Sequence, residues 1–174
     1  MKRVLLILMA IVYSIVSIGA SSNKATAEPF DSEKYVETAK EIAEAFYECA
    51  TDAGNILNYE ANFANNMKKL GGNYKPEDGY SKGIDFFNKN SEKTWEESLA
   101  KRDEALEKYK KLIKIDVSSD AFCSEIREKM KTLFESYNDM FHTMENPSVA
   151  AMSEAGKQMR LFVKTYDVLA ESYF

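Results

Sequence analysis

The chain has 174 residues, a formal net charge of −5, and 45% hydrophobic against 29% charged side chains, a balance that fits one globular domain and excludes wholesale disorder. The acidic charge argues against nucleic acid as a partner, which calls for a basic face. One histidine and two cysteines leave too few ligands and nucleophiles for most metal-centred or covalent chemistry, and seven glycines with three prolines suit long helices rather than a turn-rich β fold.

Lys2 and Arg3 precede an uncharged apolar run over residues 4–18, interrupted only by Ser14 and Ser17. Small residues follow. Ala25-Thr26-Ala27 has the small-x-small pattern of a cleavage site, and Gly19-Ala20 is a second one. The pattern predicts a signal peptide over residues 1–27 and a mature domain over residues 28–174. Cutting after Ala27 removes Lys2, Arg3 and Lys24 and no acid, which takes the net charge from −5 to −8. The expected location is secreted or periplasmic, with no membrane span after cleavage. The alternative is a membrane-anchored protein held by an uncleaved segment, because the apolar run is near the lower limit for a span.

The mature domain reads as an all-α four-helix bundle, with helices over residues 32–70, 91–115, 118–145 and 147–173. In the first helix one lane repeats every seven residues: Tyr35, Ile42, Cys49, Ile56, Phe63, Leu70. The adjacent lane is Ala39, Phe46, Ala53, Glu60, Met67. A strict seven-residue period implies a left-handed, coiled-coil-like seam. Gly71-Gly72 stops this helix. The second helix carries Trp95, Arg102, Tyr109 beside Leu99, Leu106, Ile113. The third is capped by Ser118 or Ser119 and carries Ile126, Leu133, Met140 beside Cys123, Met130, Tyr137, Met144. The fourth begins at Asn146-Pro147 and carries Met152, Met159, Tyr166, Tyr173 beside Ala155, Phe162, Leu169. Short connections make the last two pairs antiparallel. Residues 71–90 form the one long connection.

The motifs for most chemistry are missing. A di-iron bundle needs Glu-x-x-His on two helices, and the single histidine, His142, offers only Asp139-x-x-His142. Haem ligation by Met67 and His142 fails on angle, because His142 lies about 200° around the helix from Met140, away from the core lane. There is no Cys-x-x-Cys-His, no nucleophile elbow, no glycine-rich phosphate loop and no EF-hand spacing. No enzyme activity, cofactor or metal is expected.

Four features remain. Cys49 and Cys123 both sit in core lanes. With the second helix descending from the level of Leu70 they come to similar depth; if the long connection makes the first and third helices neighbours they form a disulfide in an oxidising compartment, and if those helices are diagonal they are two buried thiols. On the same alignment Glu60 and Arg102 meet as a register-setting ion pair. Asn55, Asn58, Asn62, Asn65 and Asn66 form an uncharged amide stripe on the outer face of the first helix. Asparagine is a poor helix former, so a stripe of five suggests a protein partner or a sugar-like ligand. The long connection holds Tyr74, Tyr80, Phe86 and Phe87 beside Gly79 and Gly83, and its aromatics either anchor a partner or cap the bundle end. The expected function is a non-enzymatic exported bundle that binds a protein or cell-envelope partner through this connection and the asparagine face. The alternative is a carrier of a small apolar ligand, with a pocket lined by Met159, Phe162, Tyr137 and Phe63.

Overall fold

The computed structural model describes residues 30–71, 75–145 and 149–174. The expected signal peptide, residues 1–27, lies outside the described residues, as do Tyr74 and the Asn146-Pro147 cap. Residues 31–174 form one compact unit. The described chain is all-helical, with five helices and no strand: α1 (Ser32–Lys69), α2 (Pro76–Asn90), α3 (Trp95–Leu112), α4 (Ala121–Glu145) and α5 (Val149–Ser172). None of them is long and apolar enough to cross a membrane.

Each boundary has a local cause. The Asp31 carboxylate accepts the Lys34 backbone N–H at 3.0 Å and opens α1. Gly71 closes α1 with φ +70°, a conformation that disfavours any side chain. Thr94 and Glu97 form a reciprocal capping box at the start of α3: Thr94 Oγ1 accepts the Glu97 N–H, and Glu97 Oε2 accepts the Thr94 N–H. The α4 start corrects the sequence reading. Asp120 rather than Ser118 or Ser119 accepts the free N–H of Cys123, at 3.0 Å, because a turn over residues 117–120 delays the helix.

The larger correction is α2. Residues 71–90, expected as a connection, contain a helix of 15 residues that folds back along α1. Pro76 sits in its first turn, where the missing N–H costs nothing. Gly79 and Gly83 are buried one turn apart. A Cβ at Gly83 would lie 2.9 Å from Ile56 Cγ2 and 3.0 Å from the Ile56 carbonyl oxygen. The two backbones approach so closely only because this position has no side chain.

This return helix resets the register of everything after it. Lys108 meets Glu41, Lys101 meets Glu48, and Ser98 meets Asp52. So α3 runs antiparallel to α1 and begins level with Asp52, not with Leu70. Successively, α2 and α3 descend along α1, separated by the break at residues 91–94. α4 then runs parallel to α1, with Cys123 beside the Ser32 carbonyl and Tyr137 stacked on Phe46. Finally α5 returns antiparallel, with Met159 at Gly54, Tyr166 on Tyr47 and Tyr173 on Phe122.

The core is aromatic at its centre. Phe46, fully buried, lies 4.7 Å from the Tyr137 ring, 6.1 Å from Phe134 and 6.2 Å from Tyr109. Tyr137 continues to Phe141 and Phe162, and Phe141 stacks on Trp95 at 5.9 Å. Every lane residue expected in α4 is buried. In α3 the second lane is shifted by one residue: Ser98, Ala105 and Leu112 are buried, while Leu99, Leu106 and Ile113 flank the contact. Ser98 and Ala105 are small, and they let α3 pack closely on α1 where larger leucines would hold it off.

Candidate functional site

The reset register separates two pairs that the sequence alignment brought together. Cys49 and Cys123 are free, buried thiols. Cys123 packs at the Ser32 end of α1. Cys49 is 17 residues further along the same helix, about 25 Å at 1.5 Å per residue, so a disulfide between them is out of reach. Arg102 lies level with Glu48 and makes its ion pair with its own neighbour Asp103 at 2.8 Å, while its guanidinium covers the Phe141 ring. Glu60 is buried about 18 Å further up α1, so the structure does not bring Glu60 and Arg102 together.

Around Cys49 the interior is polar but chemically quiet. The thiol faces the Tyr137 hydroxyl, and burial pushes its pKa up to about 11. Burial likewise holds the Tyr137 hydroxyl well above the usual tyrosine range. Both groups keep their protons at neutral pH, which is the opposite of an activated nucleophile. His142 is exposed, on the face opposite the α4 core lane. Among the described residues no cluster of three histidine, cysteine or acidic side chains is placed to hold a metal ion.

The apolar-carrier residues do not enclose one space. Phe162 is fully buried against Tyr47 and Tyr137. Phe63 lies under the Lys82 ammonium, about nine residues or 13 Å beyond the point where Met159 meets α1.

The asparagine stripe and the aromatics of α2 do converge. Between α1 and α2 lies an open groove of about 430 Å³. One wall is Asn55, Asn58, Tyr59 and Asn62 of α1; the other is Phe86, Phe87 and Asn90 of α2, with Asp52 and Ser91 at the floor. The expected Asn65 does not line it, being a further turn up the helix. Phe86 is 48% exposed and stacks on Tyr59 with ring centres 4.4 Å apart and planes 18° apart. Phe87 turns inward and packs edge-on against Trp95 at 6.2 Å, and Tyr80 is partly buried against the core. The four aromatics of the connection therefore divide: Phe87 and Tyr80 serve packing, Phe86 faces the groove, and Tyr74 lies outside the described residues.

Hydrogen bonds fix the base of the groove. Asn90 Nδ2 donates to the Phe86 carbonyl at 2.7 Å, and Asn88 Oδ1 accepts the Trp95 N–H at 2.7 Å, tying the end of α2 to the start of α3. Asp52 is buried and accepts from Ser98 Oγ at 2.6 Å while pairing with Lys93 Nζ at 2.8 Å. That pairing raises the Lys93 pKa and neutralises the one carboxylate in the groove. The signal missed in the sequence was Asp52, which lies beside the amide stripe and closes the break between α2 and α3.

A second groove of about 360 Å³ lies between α1 and α3. Its walls are Glu41, Glu48, Glu104, Lys101 and Lys108, cross-linked by Lys101–Glu48 and Lys108–Glu41 pairs. These are solvated helix–helix pairs of modest value. No protein-family model, curated protein or solved structure matches this chain.

Proposed function

We propose that this is an exported, non-enzymatic helical-bundle protein that binds a cell-envelope or protein partner through the groove between α1 and α2. In this reading the bundle has four legs, with α2 and α3 as the two halves of one broken return leg. The basic start, apolar run and Ala25-Thr26-Ala27 support export. One observation carries the binding reading: three surface amides and a half-exposed ring, separated by more than twenty residues of sequence, face one open groove. Its volume lies in the range of about 300–1,000 Å³ usual for ligand sites.

Co-sedimentation of the full chain with insoluble envelope material tests the reading. The variant Asn58→Ala with Asn62→Ala removes both amides and puts a better helix former at each position, so the fold is kept. The expected result is sedimentation of the wild type and loss of it in the variant at unchanged melting temperature. Equal sedimentation of the two, or none in either, overturns the reading. Intact mass of the exported protein checks the other half, with Glu28 as the expected first residue.

A further inference from the structure

We infer that the α1–α2 groove takes a neutral oligosaccharide; this rests on the reading above that the groove is the binding face. The argument is one of chemical match. A sugar ring presents hydroxyls, which both donate and accept hydrogen bonds, and a flat face of C–H groups. Asparagine carries a donor and an acceptor on one short, uncharged side chain. Asn55, Asn58 and Asn62 are exposed and spaced three and four residues apart, so they stand one per turn over about 10 Å of helix. Opposite them the exposed Phe86 ring, held by its stack on Tyr59, offers a flat apolar surface.

The charges point the same way. A phosphate or an acidic ligand calls for free cations. Among the described residues no cation lines the groove: Lys93 is bound to the lining Asp52, and the remaining lining side chains are neutral. A purely apolar ligand would strip water from three amides without replacing their hydrogen bonds. A neutral polyhydroxylated chain satisfies the amides and covers the ring together. The amides also carry a cost: asparagine is a poorer helix former than alanine at each exposed helical position. Repeating it three times along one face is accounted for by a ligand that uses it.

The full chain is titrated with cellotetraose, maltotetraose and the tetramer of N-acetylglucosamine, followed by calorimetry and by the side-chain amide signals of an NMR spectrum. The expected result is binding at about 1 mM or tighter for at least one of the three, with shifts in the Asn55, Asn58 and Asn62 amide signals. Phe86→Ala weakens it by about tenfold or more, and Phe86→Trp retains it, which assigns the loss to the ring face and not to folding. A sulfated tetrasaccharide binds more weakly, because the chain is acidic. No binding of any neutral tetrasaccharide at about 10 mM overturns the inference, as does binding indifferent to Phe86→Ala. If envelope sedimentation still depends on Asn58 and Asn62 while no saccharide binds, the groove recognises a protein: the saccharide inference falls and the broader reading stands.

Discussion

The two halves of α1 live in different surroundings. From Tyr35 to Ile56 it buries eleven side chains, among them Phe46, Ile42 and Cys49, under α3, α4 and α5. Beyond Ile56 it buries only Glu60, and Leu70 at its end is 82% exposed. One continuous helix thus serves as the core of a body and as the spine of an arm that α2 completes. The body holds the central ring cluster and the raised thiol and phenol pKa values, and the arm holds most of the groove, with Asn58 and Asn62 of the amide stripe. Stability is concentrated in the first, and exposed surface in the second.

Alkaline pH should act on the body with the largest effect. Cys49 is raised to about 11, and burial raises Tyr35 and Tyr109 to about 12. The unfolded chain sheds these protons first, from about pH 9 for thiols and 10 for phenols. It then holds fewer protons than the folded chain, so stability is full below pH 9 and falls as pH rises toward 12. The loss is about 2–3 kcal/mol for each such group. Urea unfolding at pH 7, 9, 10 and 11 measures it; a midpoint constant to pH 11 would mean that these groups are hydrated in the folded state.

Phe46→Ala follows, at about 3–5 kcal/mol, because it empties the centre of the ring cluster. Phe86→Ala, on the arm, costs less than about 1 kcal/mol, since half of that ring is already in water. Denaturation of the two variants side by side gives the contrast a number. Equal losses would erase the distinction between body and arm.

Gly83→Val is the third and most local change. Its side chain meets Ile56 and pushes α2 away at about 1–3 kcal/mol. Hydrogen exchange should then quicken in the amides of α2 while those of α4 stay protected. Uniform acceleration would show that the arm and the body open as one unit.

The legibility of these parts in the sequence differs for physical reasons. All of the α4 lane could be read, because its buried positions are large, apolar and strictly periodic. The α3 lane was misread by one position, since Ser98 and Ala105 make the close contact and small residues carry little hydrophobic signal. The helix α2 was hidden by Gly79 and Gly83, which read as loop residues in sequence and act as a close-packing face in space. Missing that helix displaced the register of α3 and α4, and with it the disulfide and the ion pair. The Asn58 and Asn62 stripe was legible from helical spacing alone. Its partner ring, Phe86, was named for a different reason, as part of an aromatic connection.

The break at residues 91–94 has a consequence for engineering. Thr94 and Glu97 cap the start of α3 reciprocally, and the one hydrogen bond described from α2 to that first turn is the Trp95 N–H to Asn88 Oδ1. Asp52 anchors that junction from the body side through Ser98 and Lys93. The arm is therefore a replaceable cassette: residues 57–93 can be exchanged for another helical hairpin that keeps Phe87, Asn88 and Lys93 ahead of Thr94, with the body serving as the chassis. A scaffold of this kind changes the surface it presents without renegotiating how it folds.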